Sequence, residues 1–191
     1  MGTSKTRASK RLNFVLFIIV CLLAIVLVVT FSKRRAGVEK PGEPVTKPSE
    51  EVEVGTKAVI LYFGSEDGTE PIETTRDIMA SAEPSTLLAS IMRELISGPT
   101  GKGIGVLPPG TLLRSAYIAG RTAYLDFSGE LKSGFTGGST EEYLILASIV
   151  RTVSANFVDI THVQILVEGS SVDSLGGHYD LTEPLSVFDW Q

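Results

Sequence analysis

The chain has 191 residues, which suits one ordinary domain with an appendage, and its formal net charge at pH 7 is −5. The charge is uneven, because residues 57–191 hold eight basic and seventeen acidic side chains. A globular part this acidic is a poor fit for a nucleic-acid-binding protein, and the single cysteine, Cys21, excludes disulfide scaffolds, cysteine-based zinc sites and iron–sulfur clusters.

The amino-terminal segment predicts a membrane anchor. Residues 1–11 hold four basic side chains and no acid, and residues 12–31 hold no charge at all. Twenty helical residues span about 30 Å, the thickness of the hydrocarbon core of a bilayer. A cleavable signal peptide has a shorter apolar core and then small residues, whereas this run ends in Phe-Ser-Lys-Arg-Arg. We therefore expect an uncleaved, single-pass transmembrane signal anchor embedded in the lipid bilayer.

Two questions about this anchor stay open. A lipoprotein signal is an alternative because Cys21 follows apolar residues, but such signals have a small residue before the cysteine, where this chain has Val20. Basic residues flank both ends of the span almost equally, so the positive-inside rule gives little guidance. Long domains translocate whatever their charge, and residues 57–191 hold no cysteine. We expect residues 1–11 to be cytoplasmic and the carboxyl-terminal domain to be extracytoplasmic.

Residues 32–56 predict a linker rich in proline, glutamate and lysine. They hold three prolines and no aromatic residue, leucine or isoleucine. Such a segment cannot bury enough apolar surface to offset its conformational entropy. A flexible chain of this length reaches on the order of 30 Å, so the domain that follows would stay near the membrane yet contact partners beyond its surface.

Residues 57–191 predict one globular domain of the α+β class. Hydrophobic periodicity and turn residues indicate, in order, a strand at 57–63, a helix at 85–97, a hairpin formed by 112–118 and 121–127, a helix opened by 137–142 and a strand at 161–168. Residues 64–84 are expected to be mostly loop, with a short strand or turn at 72–79. This βαββαβ order predicts a two-layer sandwich, with both helices on one face of a sheet of about four strands.

Seven segments in the same order resemble a known bacterial family. They read VILYF, RELISGP, LPPGT, AYLDFS, GGSTEE, ASIVRTV and VQILVEG. Together they resemble the GerMN domain of the GerM proteins of sporulation and spore germination, over residues 58–185. The resemblance implies a fold like the ring-building motifs of envelope-spanning secretion machines, and a scaffold role at the bacterial cell membrane with envelope proteins or a second copy as partners. GerM proteins typically carry two such modules, whereas this chain has one and an anchor.

No catalytic residue, cofactor or metal site is expected. The chain has no GxSxG elbow, Walker A loop, HExxH motif or EF-hand loop. Residues 101–105 superficially resemble a phosphate loop, but they lead to prolines and are interpreted as a mobile connection. His178 has Asp180 nearby in the sequence and no further partner at suitable spacing, so a solvated loop histidine is the simpler interpretation. Glu142 has capping-box spacing from Ser139 and, like Glu141, suits the positive end of a helix dipole.

Alternation along the strands predicts an open polar and aromatic sheet face. In residues 121–127, the side chains of Tyr124 and Asp126 point away from the apolar face. With an even hairpin turn, Tyr117 joins them, although Arg114 then falls on the apolar side, which suits a strand end or argues against that register. The predicted partner-binding residues are Tyr117, Tyr124, Asp126, His162 and Gln164.

The sequence leaves three classes of function to compare. The first is a non-enzymatic, membrane-tethered assembly scaffold of the cell envelope in sporulation or germination. Nucleic acid is not expected as a partner of this scaffold. The second is an extracytoplasmic module that binds cell-wall sugar, peptide or another small ligand, with Tyr62, Tyr117, Tyr124 or Trp190 as stacking surfaces. A converging aromatic cleft would favour ligand binding, and a flat sheet face would favour assembly. An envelope hydrolase would need catalytic groups that the sequence does not bring together.

Overall fold

A computed structural model describes residues 55–191. The predicted basic segment 1–11, the anchor 12–31 and all but the end of the linker 32–56 lie outside the described residues. Within 55–191, no helix combines the length and the apolar character needed to cross a bilayer. The predicted α+β class is confirmed, but its strands form two sheets instead of one.

The first sheet is a hairpin of two nine-residue strands. Strand β1 (Thr56–Gly64) pairs antiparallel with β2 (Pro71–Met79), and the two are in register from Thr56 opposite Met79 to Gly64 opposite Pro71. The sequence predicts β1 but gives β2 only as a short strand or turn. The sequence does not predict the full length of β2 because most of its residues are polar and Ile78 is its only buried side chain.

Helix α1 (Pro84–Ser97) follows the hairpin and ends where predicted. Glu83 caps its first turn, since its carboxylate accepts hydrogen bonds from the backbone N–H groups of Ser85 and Thr86. The Thr86 and Ser85 bonds lower the pKa of Glu83 to about 2. At the other end, Gly98 adopts a left-handed φ of 82° and its N–H returns to the carbonyl of Leu95.

The second sheet has the strand order β3-β4-β5-β6. Strands β3 (Leu113–Ala119) and β4 (Thr122–Phe127) form the predicted hairpin, and β5 (His162–Val167) runs parallel to β4. The crossover from β4 to β5 contains a short helix α2 (Glu130–Ser133) and the long helix α3 (Ser139–Asn156). Strand β6 (Leu185–Ser186) completes the sheet, and a 3₁₀ turn (Val187–Trp190) follows it. The structure therefore differs from the predicted single sheet in two ways. Strand β1 pairs with β2 in a separate hairpin, and β6 is an additional strand of the second sheet.

A β-bulge resolves the register conflict at Arg114. Leu113 pairs with Phe127 and Ser115 pairs with Asp126, so β3 carries one residue more than β4 between these pairs. The extra residue is Arg114, and its Nε lies 3.5 Å from Asp126 Oδ2. The predicted register is confirmed beyond the bulge, where Tyr117 pairs with Tyr124. The bulge brings Arg114 to the polar side instead of the apolar side.

Side chains of α3 replace a neighbouring strand along the free edge of β1. Thr152 Oγ1 accepts a hydrogen bond of 3.0 Å from the N–H of Tyr62. Asn156 Oδ1 accepts one of 3.1 Å from the N–H of Ile60, and its Nδ2 donates to the carbonyl of Ile60 at 2.6 Å. This edge of β1 is therefore hydrogen bonded without joining the second sheet.

One continuous hydrophobic core joins both sheets to α1 and α3. It contains the inward residues of the strands β1, β4 and β5, including Leu61, Phe63, Leu125, Phe127, Val163 and Ile165. The loop 101–105 is held against this unit, because Gly64 and Ile104 exchange two backbone hydrogen bonds of 3.0 and 2.8 Å. Ile104 of this loop is therefore paired with the end of β1, and the mobility of the loop stays a prediction.

Candidate functional site

The predicted tyrosine pair lies on the open face of the second sheet. Tyr117 on β3 and Tyr124 on β4 are opposite each other, and their rings stack with centroids 4.7 Å apart and planes 5° apart. Tyr117 retains 45% exposure despite this stacking, and Tyr124 is half-buried. The pair thus presents a rigid, partly polar aromatic surface to solvent.

Asp126 lies beside this pair, but its carboxylate already contacts groups of the same chain. It is 8% exposed, and its Oδ1 accepts a hydrogen bond of 2.7 Å from the N–H of Gly169. Its other oxygen faces Arg114, which also pairs with Glu168. Glu168 in turn accepts from the N–H of Gly129 at 2.8 Å. These contacts tie the bulge of β3 to the end of β5, so Asp126 stabilises the fold at this position.

The two predicted residues of β5, His162 and Gln164, also differ in their exposure to solvent. His162 is exposed, with Nδ1 3.0 Å from Thr161 Oγ1. Gln164 is 6% exposed, and its Nε2 donates to the carbonyl oxygens of Leu181 at 3.1 Å and Ile165 at 3.2 Å. Of the five predicted residues, Tyr117, Tyr124 and His162 therefore remain open to a partner. We call these three residues the tyrosine face.

A second cluster of aromatic side chains lies where α3 meets the carboxyl-terminal residues. Tyr143 from α3, Tyr179 from the following loop and Trp190 from the 3₁₀ turn converge, with ring centroids 5.3–6.4 Å apart. They line a cavity of about 490 Å³, which we call the aromatic pocket. The sequence indicates Trp190 as a candidate stacking residue but not its two aromatic partners, because Tyr143 belongs to a helix and Tyr179 to a loop.

Carboxylates also line the aromatic pocket, beside Pro184, Leu185 and Ser186. Asp180, Glu183 and Asp189 contribute to its wall, and the lining contains no lysine, arginine or histidine. Within residues 55–191, none of the three carboxylates forms an ion pair. A hydrogen bond of 2.6 Å from Thr182 Oγ1 and one from the Thr182 N–H lower the pKa of Asp180, which favours its charged form.

Glu142 holds the loop that carries Tyr179. Its side chain is completely buried, and its two oxygens accept hydrogen bonds from the backbone N–H groups of Leu175 and His178, each at 3.0 Å. His178 Nδ1 lies 2.9 Å from the same carboxylate. Burial opposes ionisation, but hydrogen bonds from Gly176 and His178 outweigh it and lower the pKa of Glu142. Gly176 is required here, since a Cβ at this position would collide with the ring of Phe135.

The helix cap differs by one residue from the prediction. Gly138 is the N-cap of α3, and its N–H donates 3.0 Å to Glu141 Oε2. The predicted pair of Ser139 and Glu142 is therefore wrong. Glu142 lies one position further along and is directed to the loop instead of the cap.

The histidine–carboxylate pair has the geometry of a base and its orienting group, but it lacks a nucleophile. Among residues 55–191, no hydroxyl or thiol hydrogen bonds to Nε2 of His178. No group of three or more histidine, cysteine, aspartate or glutamate side chains in that range could hold a metal ion. Within residues 55–191, the structure therefore brings no nucleophile to the His178–Glu142 pair.

The chain matches one protein family over most of its globular part. The sequence profile of the Germane family, described as sporulation and spore germination, matches residues 60–173. A search among curated protein sequences found no match.

Solved structures show the same fold. A Clostridium perfringens protein described as a candidate lipoprotein is 29% identical, with a TM-score of 0.50 over 72% of this chain and 91% of its own. The tandem GerMN domains of the sporulation protein GerM from Bacillus subtilis are 23% identical, with a TM-score of 0.54 over 71% of this chain and 48% of theirs. The first GerMN domain of that protein alone is 22% identical, with a TM-score of 0.51 over 69% of this chain and 98% of its own.

The chain spans about half of the tandem structure and nearly all of the single domain. The match to one module confirms the predicted resemblance to the GerMN domain. With more than half of its residues matched by the family profile, the chain belongs to the Germane family of sporulation and spore germination.

Proposed function

We propose that this protein is a non-enzymatic assembly module of the bacterial cell envelope, acting in sporulation or spore germination. In this proposal, residues 12–31 anchor the chain in the membrane, residues 32–56 act as the tether, and the GerMN domain contacts envelope proteins or a second copy outside the cytoplasm. The family match supports the sporulation context. The similarity to a candidate lipoprotein supports a domain held at a membrane surface.

The single observation that carries the proposal is the tyrosine face. Tyrosine is enriched at protein interfaces because its ring offers a large contact area and few rotatable bonds, while its hydroxyl tolerates water. The stacked pair of Tyr117 and Tyr124 is already ordered, so docking would cost little additional side-chain entropy. Tethering raises the effective concentration of such a surface, which allows each individual contact to be weak.

In-cell cross-linking followed by affinity capture tests this proposal. Full-length protein should recover specific envelope proteins or a second copy, whereas a chain lacking residues 57–191 should not. The variant Tyr117→Ser/Tyr124→Ser should lose most of this recovery. Tyr62→Ser is the matched control, because Tyr62 is a partly exposed strand tyrosine in the other sheet, hydrogen bonded to Glu73. Equal recovery by both tyrosine variants, with both folded, would contradict the tyrosine face as the docking site.

The aromatic pocket favours a second candidate function, namely binding of a small extracytoplasmic ligand. Its volume is in the range of known small-molecule sites, and its aromatic walls converge as such sites do. Ligand binding and assembly would use different surfaces of the same domain.

A further inference from the structure

We propose that the aromatic pocket binds an amino sugar whose amine is free and therefore positively charged. The inference rests on the second candidate function, ligand binding at this pocket, and does not depend on assembly through the tyrosine face. It follows from the shape of the pocket, the charge of its lining and the way its walls are held.

The walls are aromatic and fixed in place. Trp190 is 7% exposed and lines the pocket, with its ring stacked on Tyr143 at 5.8 Å and tilted against Tyr179 at 5.3 Å between ring centroids. Arg151 fixes two of these residues, because its Nε donates to the carbonyl of Trp190 at 2.5 Å and its Nη2 donates to the hydroxyl of Tyr143 at 3.2 Å. The bonds to Glu142 hold the loop that leads to Tyr179.

The charge of the lining selects a cation. Asp180, Glu183 and Asp189 give the pocket three carboxylates without a basic side chain in the lining. Arg151 is not among the lining residues, and its Nε and Nη2 donate to the Trp190 carbonyl and the Tyr143 hydroxyl. An ammonium group gains from carboxylates through charge-assisted hydrogen bonds and from aromatic rings through cation–π attraction. An anionic ligand would meet repulsion at the same position.

The size and shape of the pocket indicate a sugar ring. A cavity of about 490 Å³ is larger than one lysine side chain fills, and it suits a ligand of one or two rings. The apolar face of a pyranose ring packs against aromatic side chains, and its hydroxyl groups donate hydrogen bonds to carboxylates. A protonated amino sugar supplies the apolar face, the hydroxyl donors and the positive charge together.

The fluorescence of Trp190 tests the proposal directly. Trp190 is the only tryptophan among all 191 residues, so emission from the full-length protein in detergent reports on the pocket alone. We expect fully deacetylated glucosamine trisaccharide to change this emission saturably. The N-acetylated trisaccharide, which is neutral, should bind at least about tenfold more weakly because it lacks the ammonium group. Added salt should weaken the first interaction more than the second.

Paired variants separate the pocket from general surface charge. Glu183→Gln/Asp189→Asn should weaken binding of the deacetylated trisaccharide about tenfold or more. The control Glu66→Gln/Asp77→Asn removes the same charge from exposed residues outside the pocket and should not change the affinity.

Three results would overturn the proposal. The first is equal affinity for both trisaccharides, and the second is an equal loss of affinity in both paired variants. The third is tighter binding of Nα-acetyl-lysine amide, whose side-chain amine is free, than of the deacetylated trisaccharide. None of these results affects the capture experiment on the tyrosine face, so the two proposals fail independently.

Discussion

Thr152 and Ser148 show how one hydrogen bond distinguishes two similar side chains. They lie one turn apart on α3, and both are completely buried. Thr152 accepts a hydrogen bond from the edge of β1, whereas the hydroxyl of Ser148 has no partner within the described residues. Burying an unpaired hydroxyl costs free energy. Removing the Thr152 hydroxyl would cost free energy in the same way, because the N–H of Tyr62 would lose its acceptor.

Substituting these two residues should have different effects on stability. Thr152→Val leaves the N–H of Tyr62 without an acceptor and should lower the free energy of unfolding by about 1–3 kcal/mol. Ser148→Ala removes the unpaired hydroxyl and should leave stability unchanged or raise it by up to about 1 kcal/mol. Urea denaturation measures both. A loss for Ser148→Ala as large as that for Thr152→Val would contradict this assignment.

Glu142 makes the stability of the carboxyl-terminal loop depend on pH. Its pKa lies below the ordinary value of 4.5 in the folded protein, since the hydrogen bonds to its carboxylate outweigh the effect of burial. A carboxyl group with a lowered folded-state pKa stabilises the protein above its unfolded-state pKa. That stabilisation is lost as the pH falls through the folded-state pKa, because the unfolded chain binds the proton more readily.

Glu142→Gln should therefore remove a pH-dependent part of the stability. At pH 7 the variant should be less stable than the wild type by about 3 kcal/mol or more, because the buried acceptor of the loop is altered. This difference should shrink as the pH falls below 4.5. Chemical denaturation from pH 3 to pH 7 provides the measurement, and a difference that stays constant across this range would contradict the role of Glu142.

At the scale of elements, β2 supplies the cation that helix α1 lacks. The last turn of α1 contains no basic residue. Arg76 of β2 reaches the end of α1, where its Nη1 donates to Glu94 Oε2 at 2.7 Å and its Nη2 donates to the carbonyl of Gly98 at 2.9 Å. Its guanidinium also lies 5.8 Å from the centroid of the Phe63 ring. A cation here satisfies free carbonyl groups and opposes the negative end of the helix dipole.

Arg76→Met keeps much of the aliphatic side chain and removes these hydrogen bonds. We expect it to lower the free energy of unfolding by about 2 kcal/mol. Arg93→Met is the matched control, since Arg93 is an exposed arginine of α1 with no ion pair among the described residues. The control should change stability by less than about 0.5 kcal/mol. Thermal unfolding compares them, and equal shifts in Tm would contradict the capping role of Arg76.

The sequence predicts those elements whose formation depends on neighbouring residues along the chain. The helix ending at Gly98 and the hairpin around Gly120 follow from periodicity and turn residues. Strand β2 does not, because five of its nine side chains are polar and only Ile78 is buried. The division into two sheets depends on Thr152 and Asn156, whose bonds to β1 join residues about 90 positions apart.

The candidate site was predictable to a similar extent. Strand alternation is sufficient to place Tyr117 and Tyr124 on one face. It does not reveal that Gln164 is covered by the segment around Leu181, because that contact is made by a loop. The aromatic pocket was missed for the same reason, since a loop and a 3₁₀ turn bring Tyr179 and Trp190 to Tyr143.

At the scale of the whole molecule, the GerMN domain offers two separate surfaces for two kinds of contact. The tyrosine face lies on the second sheet, and the aromatic pocket lies where α3 meets the carboxyl-terminal residues. In our proposal the anchor fixes the location and the tether limits the reach, so the domain searches a thin layer next to the membrane. Assembly through one surface would leave the other free to bind a ligand.

Site-specific photocross-linking tests the central claim, assembly through the tyrosine face, most directly. A photoreactive phenylalanine is placed at position 117 or, as a control, at position 62 of the full-length protein, and sporulating or germinating cells are irradiated. We predict that position 117 gives a discrete covalent adduct with an envelope protein or a second copy, and that position 62 gives none. Adducts from position 62 alone, or no adduct from position 117 in cells where capture succeeds, would contradict the proposed docking surface.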